Sequence, residues 1–120
     1  MAPAQLNDSA RAMMAVIKGD FAKSHAANGY QKFPDGLIFQ WGVLGLFADT
    51  AITFPIAFPN ACRGVVATMA ANPTSARLIS VTIGAAPTLT GSSLFPRYVD
   101  NGGVVGLLSG FQGYWMAVGY

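Results

Sequence analysis

Leu78-Ile79-Ser80-Val81-Thr82-Ile83 decides the fold class. From Ile79 onward, β-branched apolar side chains alternate with hydroxyl side chains. A period of two puts each kind on its own face of an extended strand, so one face is covered. Working outward, similar runs recur on both sides: Val65 to Met69 upstream, then Leu94 to Val99, Val104 to Leu108 and Tyr114 to Val118 downstream. Further upstream, Gly36 to Gly42 is a β-rich run between glycines. Ile52-Thr53-Phe54 and Ile56-Ala57-Phe58 are short strand pieces punctuated by Pro55 and Pro59. Turn signals fall between the runs at Asp35-Gly36, Asn72-Pro73, Ala86-Pro87, Thr90-Gly91 and Asn101-Gly102-Gly103. Short strands at this spacing predict a small antiparallel β-sandwich or barrel.

Before residue 25 the period changes. Pro3 suits a helix start, and Ala, Met, Lys and Arg dominate residues 4 to 24. Leu6, Ala10, Met13 and Ile17 step by four, three and four, which makes an a/d seam of about two heptads. Phe21 extends the stripe. So short a helix is marginal alone in water. The seam predicts a stem in which parallel copies bundle, with packing on the chain's own domain as the alternative. Ser24 to Gly29 is small and polar and reads as a hinge. The expected organisation is therefore a helical stem and hinge over residues 1–28 and a β-domain over residues 29–120.

Charge is scarce. Hydrophobic residues make up 52% of the 120 and charged residues 10%, against about a quarter charged in an ordinary soluble domain. The five carboxylates are all Asp, and from Gly36 to Tyr120 only Asp49, Arg63, Arg77, Arg97 and Asp100 are charged. Much of the surface must face something other than water. A bilayer is excluded as the cover: the uncharged stretches at 78–96 and 101–120 are broken by prolines, glycines and polar residues, where a spanning helix needs roughly 20 apolar positions. Burial against further copies of the chain is the better account. No basic run followed by an apolar run opens the chain, so no secretory signal is expected. A net charge of +2 without a Lys/Arg cluster argues against nucleic acid.

The residue types for catalysis are thin. His25 is the single histidine and Cys62 the single cysteine, which within one chain permits no triad, zinc site or disulfide. Glycan cleavage needs two carboxylates flanking the bond, and Asp35, Asp49 and Asp100 read as turn-capping loop residues. Trp41, Trp115, Phe33, Phe39, Phe54, Phe58 and Tyr120 lie in apolar runs and read as packing. No enzyme activity, cofactor or metal is expected. Ligand contact is expected where polar and aromatic groups flank loops. Arg97, Tyr98, Asp100 and Asn101 beside Gly102-Gly103 offer a stacking face, a forked donor and acceptors, and Asn72 and Arg77 flank a second loop. An ion pair between Arg97 and Asp100 of neighbouring copies is the structural alternative.

Three segments resemble a known domain. Gly29 to Gly42 (GYQKFPDGLIFQWG), Ile52 to Cys62 (ITFPIAFPNAC) and Tyr114 to Tyr120 (YWMAVGY) resemble, in order and in terminal position, the C-terminal domain of bacteriophage tail-fibre proteins. Pro3 to Ala15 is similar to a helix near the start of phage fibre and tail proteins. The spacing around Phe54 and Phe58 also looks like H-type lectin domains. The resemblance implies a homotrimer at the tip of a virion tail fibre, joined to other tail proteins through its N-terminal helix. It implies binding to a bacterial surface glycan or an outer-membrane receptor, with a purely structural trimerisation cap as the alternative.

Overall fold

The computed structural model describes residues 3–71 and 77–120. The chain is mostly β, with nine strands in two antiparallel sheets and one helix among the described residues. The helix, α1, spans Pro3–Asp20. The strands are β1 (Lys23–Ser24), β2 (Gly29–Lys32), β3 (Ile38–Phe47), β4 (Thr50–Thr53), β5 (Cys62–Ala70), β6 (Arg77–Ile83), β7 (Gly91–Asp100), β8 (Val105–Leu107) and β9 (Phe111–Gly119). One sheet has the order β1-β2-β3-β9-β5. The other runs β4-β7-β6, with β8 also paired to β7. The principal extents are 78 × 25 × 17 Å, so the molecule is a rod.

Both sheets bury one face in a shared core. Ile38 and Phe47 of β3, Val65 of β5 and Trp115 and Ala117 of β9 meet Ile52 of β4 and Leu94 of β7. Phe54 and Phe58, from the segment after β4, close the gap edge to face, with ring centroids 5.2 Å apart. Close packing demands glycine at two facing places: a Cβ at Gly42 would collide with the Trp115 indole, and one at Gly113 would collide with the Phe47 ring.

The segment 56–58 is not a strand, contrary to the sequence expectation. Pro55 and Pro59 have no N–H for a ladder. The segment is held from outside instead. The wholly buried Gln40 side chain donates from Nε2 to the Ile56 carbonyl (2.8 Å) and accepts from the Ile56 N–H at Oε1 (3.0 Å). One amide side chain thus does what a neighbouring strand would do. Two tight turns share one design. Phe33-Pro34-Asp35-Gly36 and Asp100-Asn101-Gly102-Gly103 each end on a positive-φ glycine, Gly36 at 95° and Gly103 at 77°. Each closes with an N–H of that glycine to the first residue's carbonyl.

Two boundaries differ from the expectation. The helix stops at Asp20, where the sequence suggested residue 24, and β1 follows at once. The segment Ser24 to Gly29, where a hinge was expected, is the turn region of a β1–β2 hairpin: Ser24 ends β1 opposite Tyr30, residues 25–28 form the loop, and Gly29 opens β2. Along the helix Ala10, Met13 and Ile17 of the seam are exposed, as are Met14 and Val16. The Leu6 side chain lies outside the described ones.

Candidate functional site

The predicted ligand cluster maps to the distal end of β6 and β7, and alternation along β7 divides it. Arg97 and Tyr98 are successive strand residues, so they point to opposite faces. Arg97 forks onto Asp49: Nη1 donates to Oδ1 (2.5 Å) and Nη2 to Oδ2 (3.1 Å). Its guanidinium also covers the Phe95 ring at 5.6 Å. This pair is within one chain, and Asp100 is not its partner. The hydrogen bonds from Arg97, ahead of the opposing effect of desolvation, hold the Asp49 carboxyl below the usual carboxylate range.

Tyr98 faces the other way and meets Arg77, whose guanidinium lies 4.3 Å from the ring centroid. Gly106 of β8 sits across from Tyr98, and a Cβ there would strike the phenol ring. Asp100 accepts from the N–H groups of Gly102 (2.9 Å) and Val104 (3.0 Å), so its carboxylate shapes the β7–β8 turn. Asn101 is exposed at the apex of that turn. Asn72 lies outside the described residues. The structure therefore brings Arg77 to Tyr98 and leaves Asn101 free at the tip, while Arg97 and Asp100 are spent on the fold. Beside this end, an open cleft of about 410 Å³ runs between β5 and β6, lined by Thr68, Met69, Ile79 and Ser80 among others.

The remaining carboxylate of the β-region is also structural. Asp35 accepts from the Leu37 N–H at 3.0 Å and caps its turn as expected, whereas Asp49 forms the ion pair just described. Among the described residues no group of three or more His, Cys, Asp or Glu converges. No described helix is long and apolar enough to cross a membrane. Cys62 is half-buried against the core, and burial pushes its thiol upward. Trp115 is in the core, while Trp41 lies half-buried on the outer face of its sheet and donates to the Ala26 carbonyl at 3.1 Å.

Sequence reasoning missed the partner of Arg97, because Asp49 is distant along the chain and only the register Thr50↔Leu94 brings it near. It also missed the outward apolar rows. In the five-stranded sheet, Val66, Met116 and Trp41 stand side by side on β5, β9 and β3. In the other, Leu78, Val99 and Val105 stand side by side on β6, β7 and β8. The available signal was the apolar character of both parities in Val65-Val66 and Trp115-Met116-Ala117-Val118, which marks strands that are apolar on both faces.

Comparison with known proteins agrees with this architecture. The model of the family described as "Putative tail fiber protein gp53-like, C-terminal" matches residues 32–120. An N-truncated R2-type pyocin tail fibre is similar over 82% of this chain and 37% of its own, at 28% identity and a TM-score of 0.65. An R2 pyocin fibre of P. aeruginosa is 30% identical over 82% of this chain and 25% of its own, with a TM-score of 0.60. An N-truncated R1-type pyocin tail fibre gives 29% identity over 82% of this chain and 84% of its own, with a TM-score of 0.58. The uncharacterized protein MJ0347 of Methanocaldococcus jannaschii is 43% identical over 47 residues, 35% of this chain and 31% of that protein. The chain thus spans about a third of that relative and a quarter to a third of the R2 fibres. A match from Lys32 to the last residue, together with structural similarity to pyocin tail fibres over 82% of the chain, places this chain in the gp53-like family of tail-fibre C-terminal domains.

Proposed function

We propose that the chain is the receptor-binding tip of a phage-type tail fibre, assembled from three copies and directed at a glycan on the bacterial surface. The observation that carries this reading is the correspondence with pyocin tail fibres over 82% of the chain. In this reading the two sheets are the layers of a small β-sandwich, α1 bundles with its copies and joins other tail proteins, and the distal β6–β7–β8 end meets the host. Arg77 stacked on Tyr98 presents donors beside a flat ring edge, and Asn101 adds an amide at the turn apex. Such groups suit a hydroxyl-rich ligand, and three weak sites on one stem gain avidity by geometry. The β-region carboxylates are occupied within the fold, which favours binding over hydrolysis.

One observation favours a purely structural cap as the second reading: Arg97 and Asp100, two of the six predicted contact residues, are used to hold the fold. The test is binding of fluorescently labelled protein to a panel of Gram-negative strains, with mutants lacking surface polysaccharide. Strain-selective binding that disappears with the polysaccharide, and falls at least tenfold in a folded Arg77→Ala/Tyr98→Ala variant, is expected. Absence of binding to every strain moves the assignment to the cap. Binding unchanged in the double variant moves the contact away from Tyr98.

A further inference from the structure

Antiparallel sheets that face water carry polar side chains on the outer face. Both sheets of this chain break that rule. On β5 and β9 of the five-stranded sheet, Val66 is 68% exposed, Met116 50% and Tyr114 44%. Val66 and Met116 are cross-strand neighbours, and Trp41 continues their row onto β3. On the outer face of the other sheet, Leu78 is 73% exposed, Val105 64% and Leu107 74%, with Val99 between Leu78 and Val105. Each row is three strands wide, and the two rows lie on opposite outer faces of the same protomer. Neither contains a charged residue. The one charge in register with Leu107, on Arg97, is already neutralised by Asp49 of the same chain.

We infer that the two rows are the two halves of one interface between copies of this chain: the Val66–Met116–Trp41 row of one copy packs on the Leu78–Val99–Val105–Leu107 surface of the next. A twofold dimer needs one self-complementary patch, whereas a closed ring needs two unlike patches on each subunit, and two unlike patches are what the strands present. The combined area exposed by the rows is on the order of 1,000 Å², about the lower bound that separates a biological contact from incidental packing. Internal neutralisation of Arg97 fits burial at the edge of such a contact, since it leaves no unpaired charge to desolvate. The inference deepens the assembled-fibre reading above by naming the surfaces that join, and it rests on that reading only in requiring that copies associate.

Sedimentation equilibrium of the full chain tests it, with circular dichroism to verify the β-fold of every variant. Wild type is expected at one finite multiple of the chain mass across concentration. Val66→Lys and Leu107→Asp, both at highly exposed positions, are each expected to weaken association at least a hundredfold. The chain carrying both substitutions is expected to recover it, because the introduced charges then face each other. If Leu107→Asp leaves the mass unchanged while Val66→Lys lowers it, the four-stranded face is not the partner and the inference fails. It also fails if both single variants dissociate and the double variant stays dissociated, or if the mass of wild type grows without limit. A monomeric wild type removes the assembled-fibre reading as well. Strain binding, measured separately, shows whether receptor recognition survives that loss.

Discussion

Replacing Gln40 by Leu tests the claim that one side chain stands in for a strand. Gln40 is 0% exposed and makes two hydrogen bonds, of 2.8 and 3.0 Å, to the backbone of Ile56. Leucine fills similar space but leaves the Ile56 N–H and C=O without partners. Each of the two unsatisfied buried groups costs about 1–3 kcal/mol, and the added apolar burial returns about 1 kcal/mol, so the net loss is about 1–5 kcal/mol. For a domain of this size that lowers the melting temperature by roughly 10 °C. The measurement is a urea titration followed by the fluorescence of the buried Trp115, at fixed protein concentration because association adds to apparent stability. Hydrogen exchange at the Ile56 amide supplies a local readout and should lose most of its protection. Gln40→Glu sharpens the test. Its neutral carboxyl can both donate and accept, but its ionised form faces the Ile56 carbonyl in a dry site. Burial raises such a carboxyl above its unfolded value, so this variant should lose stability as pH rises from 4 to 7 relative to wild type. A Leu variant within about 0.5 kcal/mol of wild type, with Ile56 still protected, would refute the reasoning.

The other expectations follow from packing and titration. Gly42→Ala places a methyl group in the Trp115 ring and should cost about 1–3 kcal/mol, read as a lower urea midpoint with an unchanged slope. Arg97 lowers the Asp49 carboxyl, so the pair contributes stability that is present above the ordinary value of 3.8 and is lost as pH falls through the depressed native value. Asp49→Asn should therefore flatten the melting temperature against pH below 4 while leaving a small, salt-sensitive loss at neutral pH. Burial raises the Cys62 thiol, so its alkylation by iodoacetamide at pH 8 should be slower in the folded protein than in urea. Equal rates would show that Cys62 is not packed against the core.

How much of the fold was legible in the sequence depended on whether the controlling interactions were local. Alternation placed β6 and the core of β7 correctly, since Leu78 to Ile83 and Leu94 to Val99 are paired residue by residue. The Asp35-Gly36 and Asn101-Gly102-Gly103 turns were readable because their glycines supply the positive φ that the turns require. Residues 56–58 were misread as a strand piece because apolar spacing alone does not say which partner supplies the hydrogen bonds. Here the partner is Gln40, a polar residue in an apolar run whose side chain is wholly buried. β1 and β2 were missed for a related reason. Lys23, Ser24, Gln31 and Lys32 have no strand pattern of their own, and they extend because β3 offers them an edge.

The same distinction governs the candidate site. Arg97, Tyr98, Asp100 and Asn101 looked like one cluster because they are adjacent in sequence. In a strand, adjacency guarantees separation, since neighbouring side chains leave opposite faces. The grouping that the fold creates is by register instead: Arg77 with Tyr98, Arg97 with Asp49, and the aliphatic row from Leu78 through Val99 to Val105. Composition had already signalled that row, because a chain with 10% charged residues has too few of them to solvate both outer faces of two sheets. What composition could not give was its location. Location follows from pairing: Met116 and Val66 meet only because β9 lies between β3 and β5, and Leu107 nears Arg97 only because β8 folds back on β7. The scarcity of charge and the division of the predicted cluster are thus consequences of one arrangement, in which strand pairing gathers apolar side chains on the outer faces and leaves Asn101 exposed at the apex of the β7–β8 turn.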